Sequence, residues 1–75
     1  MTAEQIRQTR EANPFVPFTI YMTDGRSHHI PHRDYLSFSP FGRVVLVYQS
    51  DGAGSFIDLL LVTEIKLDAA VPQTN

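Results

Sequence analysis

Three histidines fall within five positions of one another: His28, His29 and His32. Imidazole is a good ligand for zinc, nickel or copper. Adjacent residues of a strand point to opposite faces, so His28 and His29 do not readily chelate one ion. His29 with His32, or with an exposed Asp34, is the more feasible pair. The competing reading makes His28 a half-buried sheet residue and leaves the other two on the surface. That reading is preferred, so neither a metal site nor a cofactor is expected.

Two carboxylates, Asp34 and Asp58, suggest acid–base work. No Ser or Cys nucleophile is placed by a motif, and a chain of this size encloses little space. No enzymatic activity is expected. Asp34 reads instead as the cap of a turn before Tyr35, and Asp58 as an acceptor for backbone N–H groups at Leu59–Leu61. Arg26, Arg33 and Arg43 all follow or sit in turns. Gathered at one end of the fold, they would form a small basic patch for nucleic-acid contacts. Tyr21, Tyr35 or Phe41 would then be available to stack on bases.

Phe41 is an aromatic at a turn tip, a common contact point with another chain. Together with Val45, Val47 and Leu59–Leu61 it exceeds what so small a core comfortably buries. The predicted interaction surface is therefore Phe41, Val45, Val47, Tyr21 and Tyr35. It would serve a homo-oligomer or a protein partner.

These residues need elements to hold them. Thr2-Ala3-Glu4-Gln5 is a capping-box pattern that starts a helix over about 3–11, which must stop before Pro14. From Phe18 the chain alternates: Phe18, Ile20 and Met22 on one side, Thr19, Tyr21 and Thr23 on the other. Asp24-Gly25 is a strong hairpin signal. A two-residue loop would leave Ile30 on the polar face. A three-residue loop, Thr23-Asp24-Gly25, pairs Ile20 with His28 and Phe18 with Ile30, and is preferred for that reason. Further strands are expected over about 35–39, 43–49, 55–58 and 63–67, after the hairpin strands 18–23 and 26–30. Leu59-Leu60-Leu61-Val62 is too continuous for alternation and suits a single 3₁₀ turn or a strand end. Val44, Leu46 and Tyr48 share one face and Val45 and Val47 the other. The predicted inner lining is Phe18, Ile20, Met22, Val44, Leu46 and Ile65, with Leu67 also turned inward.

Seventy-five residues make one domain, expected over 1–67, with 68–75 a disordered tail. A hydrophobic fraction of 43% supports a core, and 19% charged residues argues against wholesale disorder. There is no cysteine, which excludes a disulfide framework and a thiolate metal site. The first residues are polar and mixed in charge, unlike a signal peptide, and no apolar run spans a membrane. A soluble, cytoplasmic protein without membrane partners is expected. Net charge is −2, about +1 over residues 1–45 and about −3 over 46–75. Neither half is a basic block, which weighs mildly against sequence-independent nucleic-acid binding.

Fold class follows as mainly β (α+β). One N-terminal helix precedes a small five- or six-stranded antiparallel barrel or strongly curled sheet. A short strand, one helical turn and a last strand make the ending of SH3-like barrels, and a leading helix before five strands is the Sm-like variant.

Several motifs together resemble a set of short, uncharacterised bacterial proteins. They are Pro14-Phe15-Val16-Pro17-Phe18, Asp24-Gly25-Arg26, Pro31-His32-Arg33-Asp34-Tyr35, Pro40-Phe41-Gly42-Arg43 and Ile57–Ile65. The resemblance covers most of residues 14–67 and implies no catalytic residue. A more distant likeness to Sm-like RNA-binding proteins rests on Phe18–Arg26 and Phe56–Leu67, without a match to their RNA-contacting motifs. The expected function is a non-enzymatic protein-interaction or self-assembling module. The alternatives are an Sm-like RNA binder and a small metal- or ligand-binding domain.

Overall fold

The computed structural model describes residues 1–40 and 42–68. The expected tail from residue 69 onward, and Phe41, lie outside the described residues. The chain runs as helix α1 (Ala3–Glu11), then strands β1 (Phe18–Met22), β2 (Ser27–Ile30), β3 (Leu36–Phe38), β4 (Val44–Tyr48), β5 (Gly54–Asp58) and β6 (Val62–Leu67). Single 3₁₀ turns at Arg33–Tyr35 and Leu59–Leu61 precede β3 and β6.

Helix α1 begins where the capping box dictates. The Thr2 hydroxyl accepts from the Gln5 backbone N–H at 3.2 Å, and the Gln5 amide oxygen accepts from the Thr2 N–H at 2.9 Å. Two N–H groups that lack helical partners are thereby satisfied. At Ala12 the backbone turns extended, and the Asn13–Pro14 peptide is cis. Ile6 is the helix's one buried residue, so its docking to the sheets rests on a thin stripe.

The first hairpin has the three-residue loop. Phe18 pairs with Ile30 and Ile20 with His28. Gly25 is left-handed at φ 91°, and its N–H reaches the Met22 carbonyl at 3.0 Å. The Asp24 carboxylate accepts the Arg26 N–H at 3.0 Å and pins the turn.

All pairings are antiparallel, and they make two three-stranded sheets, ordered β2-β1-β6 and β3-β4-β5. Among the described residues no ladder joins one sheet to the other. One apolar cluster lies beneath both. Ile6 enters it from the helix, Phe18, Ile20, Met22, Ile30 and Val62 from the first sheet, Leu36, Val45, Val47 and Ile57 from the second, and Leu59 from the turn before β6.

Strand β4 faces the opposite way from the expectation. Val45 and Val47 are each 1% exposed and lie in the core, whereas Val44 and Leu46 are only half-buried. The reason is cross-strand pairing. Val47 stands opposite Leu36, and Val45 opposite Ile57, and both partners bury on the core face. Strand β4 is apolar on both faces, so its neighbours break the tie. Ile65 is half-buried, as a core-packed residue, but Leu67 is exposed rather than inward.

Candidate interaction surface

The core-facing turn of β4 leaves an apolar row on the other face of the second sheet. Leu46 pairs with Ser37 on one side and Phe56 on the other. Phe56 is 79% exposed, the largest exposure among the big apolar side chains of the described residues. It borders a shallow groove of about 180 Å³ whose floor is Val44 and Leu46 and whose far rim is Ser37, Phe38 and Ser39. The Ser39 hydroxyl is shielded from solvent and has no hydrogen-bond partner among the described residues. Leu60 and Leu61, in the turn that follows β5, are 65% and 49% exposed.

Strand β5 is also a sheet edge. Natural edges are commonly protected by lysine, proline, a bulge, shortness or a covering element. Strand β2 runs directly into Pro31. Strand β3 is three residues long, and its Phe38 lies under Arg7, 4.3 Å from ring centroid to guanidinium carbon. Strand β6 carries Glu64 and Lys66, and its register with β1 shifts between Tyr21 and Met22. Strand β5, Gly-Ser-Phe-Ile-Asp, has none of these devices among the described residues. Its one charge, Asp58, is neutralised by Arg43, with Nη2 to Oδ2 at 2.9 Å and Nε to Oδ1 at 3.2 Å.

The residues expected to form an interaction surface are therefore redistributed. Val45 and Val47 are core residues, so their assignment to a surface is corrected. Tyr21 is half-buried on the outward-alternating side of β1. Tyr35 is half-buried in the first 3₁₀ turn, its ring 5.9 Å from that of His32. Sequence reasoning missed Phe56. Its alternation with Ile57, which faces the core, was the available signal.

The three arginines expected to contact nucleic acid each serve a different local partner. Arg26 pairs with Asp24 at 2.8 Å. Arg33 donates to the Ala12 carbonyl at 2.8 Å and the Arg10 carbonyl at 3.3 Å, and lies 5.6 Å from the Phe15 ring centroid. It thereby ties the end of α1 to the first 3₁₀ turn. Arg43 holds Asp58. Hydrogen bonding by Arg43, and then by the Leu60 N–H, keeps the Asp58 carboxyl below its ordinary range. The same pair raises Arg43. A hydrogen bond from the Arg26 backbone N–H likewise lowers Asp24.

Asp58 caps the second 3₁₀ turn as expected, accepting the Leu60 N–H at 2.9 Å. Asp34 does not cap the first. The turn's capping position is His32, which makes no side-chain cap bond. Of the histidines, His28 alternates toward the core and is half-buried, and burial, reinforced by Arg26, holds its imidazole below the ordinary value of 6.5. His29 is exposed, with Nδ1 3.3 Å from the Thr19 hydroxyl. Among the described residues no three His, Cys, Asp or Glu side chains are grouped as metal ligands, and no helix is long and apolar enough to cross a membrane.

No family model matches the chain, and neither a curated protein nor a solved structure does.

Proposed function

We propose that this protein is a non-enzymatic interaction module that assembles with a second copy of itself through the outer face and open edge of β5. The observation that carries the reading is Phe56, 79% exposed beside the groove over Val44 and Leu46. Clustered apolar surface of this kind marks contact sites. Antiparallel self-pairing of β5 about a two-fold axis at Phe56 sets Asp58 against the partner subunit's Gly54. No like charges then meet. In the finer form of the fold that we propose, the two sheets are halves of a small SH3-like or Sm-like barrel. The leading helix and the 3₁₀ turn before the last strand support that reading. The resemblance to short bacterial proteins belongs to the same proposal. An RNA-binding role has less support, because Arg26 and Arg43 already face carboxylates.

Light scattering on size-exclusion fractions tests the proposal. The wild-type chain is expected to exceed its monomer mass of 8.5 kDa as concentration rises. Phe56→Asp is expected to return it to that mass with unchanged thermal stability. A wild-type chain that stays monomeric at millimolar concentration overturns the reading.

A further inference from the structure

A second concavity lies where β2 passes the end of β4, apart from the Phe56 face. Ser27, His28, His29 and Pro31 form one wall, Tyr35 of the first 3₁₀ turn contributes another, and Val47, Tyr48, Gln49 and Ser50 complete it. Its volume is about 280 Å³. Two stretches distant in sequence, 27–35 and 47–50, converge there, so the cleft is a product of the tertiary fold.

Its lining is chemically selective. The chain is 19% charged, yet no Asp, Glu, Lys or Arg borders this cleft. Burial first, and the Arg26 charge second, lower the His28 imidazole from its ordinary value and disfavour its charged form. The lining combines hydroxyl-, amide- and imidazole-bearing residues with Pro31, Val47 and two tyrosines. Of the polar lining side chains, His29 lies 3.3 Å from the Thr19 hydroxyl, and Ser27, His28, Tyr35, Tyr48, Gln49 and Ser50 make no side-chain hydrogen bond to another described residue. A charged ligand would find no Lys or Arg and no carboxylate to pair with in this lining. A fully apolar ligand would leave the polar groups desolvated without partners, which is costly. The volume lies at the lower limit of small-molecule pockets, enough for one ring system and too little for a folded peptide element.

We propose that this cleft binds a small uncharged ring compound bearing hydroxyl, carbonyl or amine groups, of nucleoside or monosaccharide size. The ring stacks on Tyr48 or Tyr35, and Gln49, Ser27 and Ser50 supply hydrogen bonds. The proposal is independent of self-association.

Amide chemical shifts of the full ¹⁵N-labelled chain are followed during titration with uridine, adenosine, glucose and uridine monophosphate. Uridine or adenosine on one arm, or glucose on the other, is expected to give saturable shifts confined to residues 27–29, 35 and 47–50. Uridine monophosphate is expected to bind more weakly than uridine if the nucleoside arm succeeds. Tyr48→Ala, at a 39% exposed position, is expected to keep the fold and weaken binding at least about fivefold. The proposal is overturned if none of the three neutral probes saturates, if the shifts map elsewhere, or if Tyr48→Ala binds as tightly as wild type. Tighter binding of uridine monophosphate than of uridine also overturns it.

Discussion

Ile20 and His28 stand directly across from each other in the first hairpin, on the face that turns toward the core. Ile20 is fully buried and His28 half-buried, so the imidazole sits where losing water penalises its charged form. Its folded pKa lies below 6.5, through burial first and the Arg26 charge second. The unfolded chain thus takes up a proton at a pH where the folded one still resists it. Stability from this group is full above 6.5, falls as pH drops below that value, and levels off below the folded pKa. Urea midpoints at pH 7.5 and 5.5 should show a loss for wild type that His28→Gln largely removes. Asp24 and Asp58, lowered from 3.8, act at more acidic pH and leave this window clear. Equal losses in both proteins would refute the assignment.

The facing of β4 gives a paired test. Val45→Ala removes two methyl groups from a site 1% exposed and should cost roughly 1–3 kcal/mol. Val44→Ala, on the outer face, should cost under about 1 kcal/mol. Equilibrium urea unfolding with unchanged m-values reads both. The reverse order would mean that the strand faces the other way.

Arg10 holds the end of α1 against the second sheet. Its Nε donates to the Arg33 carbonyl at 2.9 Å and the Leu36 carbonyl at 2.8 Å, while the head group lies 5.9 Å from the Phe38 centroid and pairs with Glu11. Arg10→Met keeps the apolar stem and strips both carbonyls of their donor. The expected cost is about 1–3 kcal/mol. Arg7→Met loses only its contact with Phe38 and should cost about 0.5–1 kcal/mol. Thermal unfolding followed at 222 nm compares the two, and equal effects would argue against the Arg10 bridge.

Local signals in the sequence were decisive where one segment holds all the information. The helix start is written in Thr2 and Gln5, the first register in Gly25 and the parity of Ile30, and the second 3₁₀ turn in Asp58. What stayed illegible depends on residues far apart. Strand β4 is apolar on both faces, and its inward side is chosen by Leu36 and Ile57. The partners of two turn arginines are equally remote: Arg33 reaches Ala12 and Arg43 reaches Asp58, 21 and 15 residues away. Phe56 followed the same logic: once Ile57 takes the core side, its neighbour must face out. Spacing alone carries no record of such pairings.

Gly25 isolates the backbone cost of the first turn. Its φ is +91°, and a Cβ built there would meet nothing within 4 Å. Any penalty for Gly25→Ala is therefore conformational, without a clash, and should be about 1–2 kcal/mol. Gly25→Asn should recover part of it, because the short amide hydrogen-bonds locally and tolerates left-handed geometry better than alanine. Chemical denaturation of the three proteins gives the order Gly, then Asn, then Ala. An alanine variant as stable as wild type would mean that the turn does not need the left-handed residue. The three-residue loop that places Ile30 opposite Phe18 would then lose its physical basis.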